Sequence, residues 1–349
     1  YNIEEPDPDD ESVPVLLQNN SIVTPFEAVT GMYSLPGRHD IDPTAILAPF
    51  YFLFFGLMLS DAAYGLILTT LCAIILKKYK PEGTTHRMIK MFMFCGLSTF
   101  MWGALFGGWF GNFFTVAAKT FFGKEFVIKP LWFDPLSEPM RLLVVSLILG
   151  AIHLFVGMGV QAYMDIKDGR PLDALFDIGL WYLLLIGIVL FAFGGKLGAG
   201  AVGIGKIMAI IGAVGILLTG GRKKKGIFGK LTGGLGSLYG ITSYLSDVLS
   251  YSRLLALGLA TGVVAQVFNT LGSLAGGGIA GSILLIVVFA FGTVFNIAIN
   301  ALGAFVHSCR LQYVEFFGKF YTGGGRPFAP FERKTKYIKI LKEGNDNVK

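Results

Sequence analysis

Charged side chains are scarce in this sequence, at 15% of 349 residues against 53% apolar ones. Such a balance excludes an ordinary soluble domain and marks a polytopic helical membrane protein. There are only three cysteines. Cys72, Cys95 and Cys309 each lie inside an apolar stretch, with neither metal-ligand spacing nor an even count, so neither a disulfide framework nor a metal site is expected. No GxxxxGK[ST] phosphate loop occurs, which argues against an ATP site or any catalytic centre of the chain's own, and no cofactor is expected. No internal repeat stands out either, and that weakens an inverted-repeat transporter reading. The net charge of +6 does not imply a nucleic-acid partner, because the basic residues gather in short segments between apolar spans.

The apolar runs give the organisation. A polar leader, residues 1–43, opens acidic and proline-containing, as expected for the remnant of a missing soluble N-terminal domain. The first apolar block, residues 43–76, would be roughly 50 Å long as one helix, against a hydrocarbon core of about 30 Å. Asp61 interrupts it, so two short spans turning near residues 60–65 are predicted. Further spans are predicted over 90–112, 140–163, 172–193, 203–218, 235–271 and 281–320, and a tail follows over 321–349. The expected fold is thus an all-α membrane protein with eight transmembrane helices, the last two long and strongly tilted. Between the third and fourth spans, the run FFGKEFVIKPLWFDPL around Gly123 predicts a small external hairpin or cap. Basic clusters at Lys77–Lys90, Lys167–Arg170 and Arg222–Lys230 fall on one side, which the positive-inside rule makes cytoplasmic. A seven-span arrangement gives those loops the same sidedness. Span length and Asp61 favour eight, with both termini cytoplasmic.

Against this scarcity of charge, two arginines stand deep in apolar runs: Arg253 in SYLSDVLSYSRLLALGLATGVVAQVF and Arg310 in FNIAINALGAFVHSCRLQYVEFFGKF. A guanidinium keeps its proton, and at mid-membrane it costs at least about 2.5–3.5 kcal/mol on insertion scales. Arg310 can snorkel toward nearby polar residues. Arg253 is about 18 residues, roughly 27 Å, from either end of its helix, too far for a side chain to reach. On a helical wheel Thr242, Ser246, Ser250 and Arg253 share one face, and Asn296, Asn300, His307 and Arg310 repeat the pattern on the last helix. Two polar tracks ending at two arginines suggest aqueous access to a charged centre. His307 could relay protons or make a structural hydrogen bond. Glu315 could pair with a lysine or line an exit path. Asp61 reads first as a turn or helix-end residue, His153 and Gln161 as groups satisfied by neighbouring helices. Asp247 and Gln266 complete the candidates.

The segments SYLSDVLSYSRLLALGLA, HSCRLQYVEFFGKFYTGGGRPFAPF and APFYFLFFGLMLSDAAYG resemble the membrane domain of the a/I subunit of V-type and A-type rotary ATPases, and the resemblance spans essentially the whole chain. It implies a stator over residues 44–320, packed by its last two helices against a rotating ring of proteolipid c subunits in the lipid bilayer. Peripheral-stalk subunits and a central-stalk-linked membrane subunit would join through the soluble half. Arg253, assisted by Arg310, would release and reload H+ or Na+ on the ring carboxylates. Ser246, Ser250, Asn296, Asn300, His307 and Glu315 would line two half-channels. Eukaryotic relatives carry glutamate at the position matching Asn300 and histidine at that matching Thr261, so here the external half-channel would use other groups or water. A stand-alone secondary transporter or channel, and a purely structural scaffold, are the competing readings.

Overall fold

The structure is a computed structural model that describes residues 13–37, 40–123, 127–196, 198–222, 227–274, 276 and 278–328. The acidic start of the leader, Lys223–Lys225 of the third basic cluster and the tail beyond residue 328 lie outside the described residues.

The chain is a multi-pass helical membrane protein. Its first helix, α1 (Glu27–Tyr33), lies in the leader. The first apolar block splits as expected, into α2 (Thr44–Leu59) and α3 (Ala62–Tyr79). The cause is local: Ser60 turns through the left-handed region at φ 35°, and Asp61 caps α3 by accepting from the backbone N–H of Ala63 and Tyr64. Helix α4 (Gly83–Phe106) runs antiparallel to α3 and in very close contact with it. A Cβ at Gly65 would sit 2.3 Å from Phe100 N, and one at Gly103 would sit 2.0 Å from Ala62 N. Small residues at such crossings let helices that gain nothing from water exclusion in lipid pack backbone to backbone. Gly103→Val is therefore expected to force α3 and α4 apart and destabilise the protein by about 2 kcal/mol or more, read as a lowered unfolding temperature in detergent.

Among the described residues of the predicted external hairpin or cap, no strand forms. Residues 113–122 are a helix, α5 (Phe113–Phe122), whose Phe113 stacks on Phe289 at a centroid distance of 3.8 Å. Gly123, at φ 63°, ends that helix by donating back to Lys119 O instead of turning a hairpin. Residues 127–138 are irregular, and contain Pro130 and Pro135.

Next come α6 (Pro139–Lys167), a short α7 (Pro171–Asp173) running through a π-helical segment into α8 (Leu180–Phe193), and α9 (Ala199–Thr219). The seventh stretch, Thr232–Ser273, spans 42 residues. It contains most of α10 (Ile227–Tyr239), then α11 (Ile241–Ser250) and α12 (Ser252–Ser273), with breaks at Gly240 and Tyr251. The eighth is α13 (Ile279–Arg310), extended by a π-helical segment Leu311–Phe316 and a 3-10 turn Phe317–Lys319. Both are about 60 Å long at 1.5 Å per residue, twice the bilayer core. Among the described residues, seven helical stretches are long and apolar enough to cross a membrane, and the 16-residue α2 is a shorter apolar helix.

The described part of the leader packs against the segment that follows α13. Residues 14–15 pair in parallel with 326–327, Tyr313 donates to Val29 O at 2.7 Å, and Tyr321 donates to Ser34 O at 2.8 Å.

Candidate functional site

Arg253 is the second residue of α12, just beyond the break at Tyr251. There the helix tightens: Tyr251 N donates to Val248 O and Leu254 N to Tyr251 O, both three residues back. Tyr251 is fully buried and bonded through its hydroxyl to His153 Nδ1 on α6 at 2.8 Å. A glycine at 150 makes room for it, since a Cβ there would lie 2.3 Å from the Tyr251 ring. With Tyr251 locked inward, Arg253 points to the rim, where its side chain is 26% exposed.

Its partner is Glu315. Arg253 Nη1 donates to Glu315 Oε1 at 3.1 Å, and the glutamate side chain is only 2% exposed. Glu315 lies in the π-helical segment that follows Arg310, where the extra residue per turn re-aims the side chains. Asp247 and Lys319 make a second ion pair between the same two stretches at 2.5 Å, with Lys319 Nζ 4.3 Å over the Tyr244 ring.

The two polar tracks fare differently. Thr242 and Ser246 are exposed, Ser250 and Arg253 half-buried, so the first track runs along the surface and dips in at the arginine. On α13 the buried positions step by four, through Gly292, Asn296, Asn300, Ala304 and Ser308. Each such step over-rotates by about 40°, so the buried stripe winds around the helix. Arg310, two residues past Ser308, ends on the exposed side, away from the asparagines with which the wheel grouped it. Asn296 and Asn300 instead face inward. Asn296 donates to Tyr64 Oη at 3.0 Å and Thr261 O at 3.1 Å, and Asn300 donates to Asn296 O at 3.1 Å. His307, half-buried further along the same helix, has a buried Nδ1 with no hydrogen-bond partner among the described residues.

Asp61 and Gln266 lie at the end of the molecule opposite the termini. Asp61 is 3% exposed, and besides capping α3 it accepts from Phe110 N at 3.1 Å and Gly111 N at 2.8 Å. It is a turn-holding residue, as its place in the sequence suggested. Both residues line a cavity of about 210 Å³ with Ser60, Asn112, Asp134, Gly258 and Gly262. Positions 266, 262 and 258 are successive turns of α12, so the cavity descends along it. Its deepest glycine is five residues, about 7.5 Å of helix rise, from Arg253.

Sequence reasoning passed over Tyr251, Gln312 and Lys319. The apolar runs around them hide a polar cluster that only the crossing of α6, α12 and α13 assembles. No group of His, Cys, Asp and Glu among the described residues could hold a metal ion.

The stretch carrying both arginines, residues 241–333, matches the model of the V-type ATPase 116kDa subunit family. Along 96% of the chain, the sequence is 37% identical to the A-type ATP synthase subunit I of Methanocaldococcus jannaschii. The chain belongs to this family. Other members include the A-type ATP synthase subunit I of Pyrococcus horikoshii, 38% identical over 97% of the chain and 50% of that protein. The V-type ATP synthase subunit I of Chlamydia trachomatis is 24% identical over 94% of the chain and 57% of that protein. The Methanocaldococcus match takes in 51% of that protein, so the chain spans about half the length of the curated relatives it matches. The matched residues 241–333 contain α11, α12 and α13.

Proposed function

We propose that this chain is the ion-translocating stator of a rotary ATPase membrane sector, with Arg253 held where the carboxylates of a proteolipid ring pass. The observation that carries the reading is Arg253 itself: a permanent cation at the rim of α12, above a cavity that descends from the opposite side of the molecule. A ring carboxylate must be neutral, as an acid or bound to Na+, while it faces lipid, because an unpaired charge there is too costly. Beside Arg253 the ionised form becomes favourable and the ion leaves. The cavity past Gln266, Gly262 and Gly258 serves one aqueous phase. The surface track Thr242, Ser246 and Ser250 serves the other, on the side of the termini, which the basic loops make cytoplasmic. A permanent cation between the two blocks direct leakage. Arg310, exposed on the neighbouring helix, adds positive potential on the ring-facing side. ATP chemistry belongs to partner subunits, and stalk subunits restrain the stator.

The ring-facing surface would be the exposed apolar face of α12 and α13, including Val263, Val267, Leu302 and Val306. Cysteine at Leu302 or Val306 is expected to form a disulfide with a cysteine placed beside the ring carboxylate in the intact assembly. Absence of cross-links along this whole face would move the ring, and with it the role of Arg253, elsewhere.

A further inference from the structure

The Arg253–Glu315 pair is lopsided. The arginine, on a long flexible stem, is partly exposed, whereas the carboxylate is sealed in at 2% exposure. Only Oε1 of Glu315 is engaged; Oε2 is buried with no hydrogen-bond partner among the described residues. Around it are more groups of the same kind. Gln312, three residues earlier and fully buried, adjoins His153, and neither of its amide atoms makes a close hydrogen bond among the described residues. His153 spends Nδ1 on Tyr251 and leaves Nε2 buried beside Gln312 without a close hydrogen bond among the described residues, while Phe50, Phe54 and Phe316 enclose its ring. Buried polar atoms are seldom left this way, and a cluster of them marks a place that can receive a hydrogen-bonding guest or a proton.

If the proposed reading holds, Arg253 must turn to each ring carboxylate that arrives. Every such turn strips Glu315 of its counter-ion while Glu315 stays buried. A buried carboxylate without a cation is far less favourable than the neutral acid. The remaining charged and titratable groups do not relieve it. Tyr251 from the α11–α12 break and His153 from α6 are engaged with each other, and Lys319 is paired with Asp247. Helix α2 contributes only the phenylalanine rings, and Arg310 is on the exposed side of α13.

We propose that Glu315 is a proton-binding carboxylate of the stator itself, loaded when Arg253 leaves it for the ring and unloaded when Arg253 returns. An O–H bond forms on Glu315 with a proton from water on the side of the termini, and the same bond breaks, returning the proton there, when the guanidinium comes back. No electron moves. The buried polar atoms of Gln312 and His153 receive the new O–H, directly or through a water molecule. The inference rests on the rotary reading for its cycle, and it has a consequence that the ring's own ion does not: transport depends on pH at Glu315 even where the ring carries Na+.

Two measurements test it. In infrared spectra of the full-length protein in lipid nanodiscs at neutral pH, Arg253→Gln is expected to gain a protonated-carboxyl band. The native protein and the double variant Arg253→Gln/Glu315→Gln are expected to show no such gain. An Arg253→Gln spectrum without the band overturns the proposal, and since no ring is present the result stands apart from the rotary reading, which the cross-links test. In the intact assembly, Glu315→Gln is expected to flatten one limb of the pH profile of ion transport, with Glu315→Asp restoring it. A Glu315→Gln profile superimposable on the native one also overturns it.

Discussion

Ion uptake driven by ATP is expected to fall to background when Arg253 is replaced by alanine in an assembled complex. Under the proposed function the reason is the position of this cation: partly exposed, where it would meet a passing carboxylate, and bonded at rest to Glu315. Without it a ring carboxylate would have nothing to favour its ionised form, and the proposed path between the two aqueous sides would lose its barrier. Arg253→Lys is expected to restore little, because an ammonium is a compact, strongly hydrated point charge that cannot offer the guanidinium's fork of donors. The measurement is uptake into vesicles of the intact complex, with assembly checked in parallel. That check matters, since removing one partner of a buried ion pair costs about 3–5 kcal/mol, and Arg253→Ala also leaves Glu315 uncompensated. Near-normal uptake would reject the mechanism and move the weight to Arg310 or to a structural role.

The largest loss of stability is expected at Asp61. Its carboxylate accepts from four backbone N–H groups, of Ala63, Tyr64, Phe110 and Gly111, and so fixes both the turn between α2 and α3 and the loop leaving α4. Alanine would leave those donors without an acceptor at a 3% exposed position. At about 1–3 kcal/mol for a buried unsatisfied group, with partial relief from relaxation and water, the net loss is on the order of 3–5 kcal/mol. Asp61→Asn should be milder. Three of the donors, Ala63, Tyr64 and Phe110, reach Oδ1, and only Gly111 reaches Oδ2, so an asparagine that keeps its oxygen on the Oδ1 side retains three bonds. Thermal unfolding in detergent should rank native, Asn and Ala in that order; an Ala variant as stable as the native protein would show that the turn holds without its cap.

Asp61 also shows what was legible beforehand. An acidic residue in an apolar block too long for one span announces a break, because the bilayer thickness and the helix rise leave no other economical arrangement. The first part of the external segment departs from the hairpin reading for a physical reason as well. Alternation over FVIKPLWF resembles a strand, but the run before Gly123 has its apolar residues on a helical face that packs on Phe289, and that packing won. The wheel grouping of Asn296, Asn300 and Arg310 assumed a straight helix with a fixed buried face. Steps of four rotate that face, and the arginine was carried outward.

The sequence by itself determined the class of molecule, the eight apolar stretches, the break at Asp61 and the two arginines that composition cannot explain. These are properties of one chain counted along its length: hydropathy, span length and the cost of a charge that cannot be neutralised. Only the tertiary structure decided that Arg253 meets Glu315, 62 residues away, that Asn296 reaches Tyr64, and that His153 is tied to Tyr251. Periodicity tells which side of a helix is polar but not which helix will face it. In lipid that choice is made by close packing at small residues such as Gly65, Gly103 and Gly150, where backbones or a ring can approach only because no side chain intervenes.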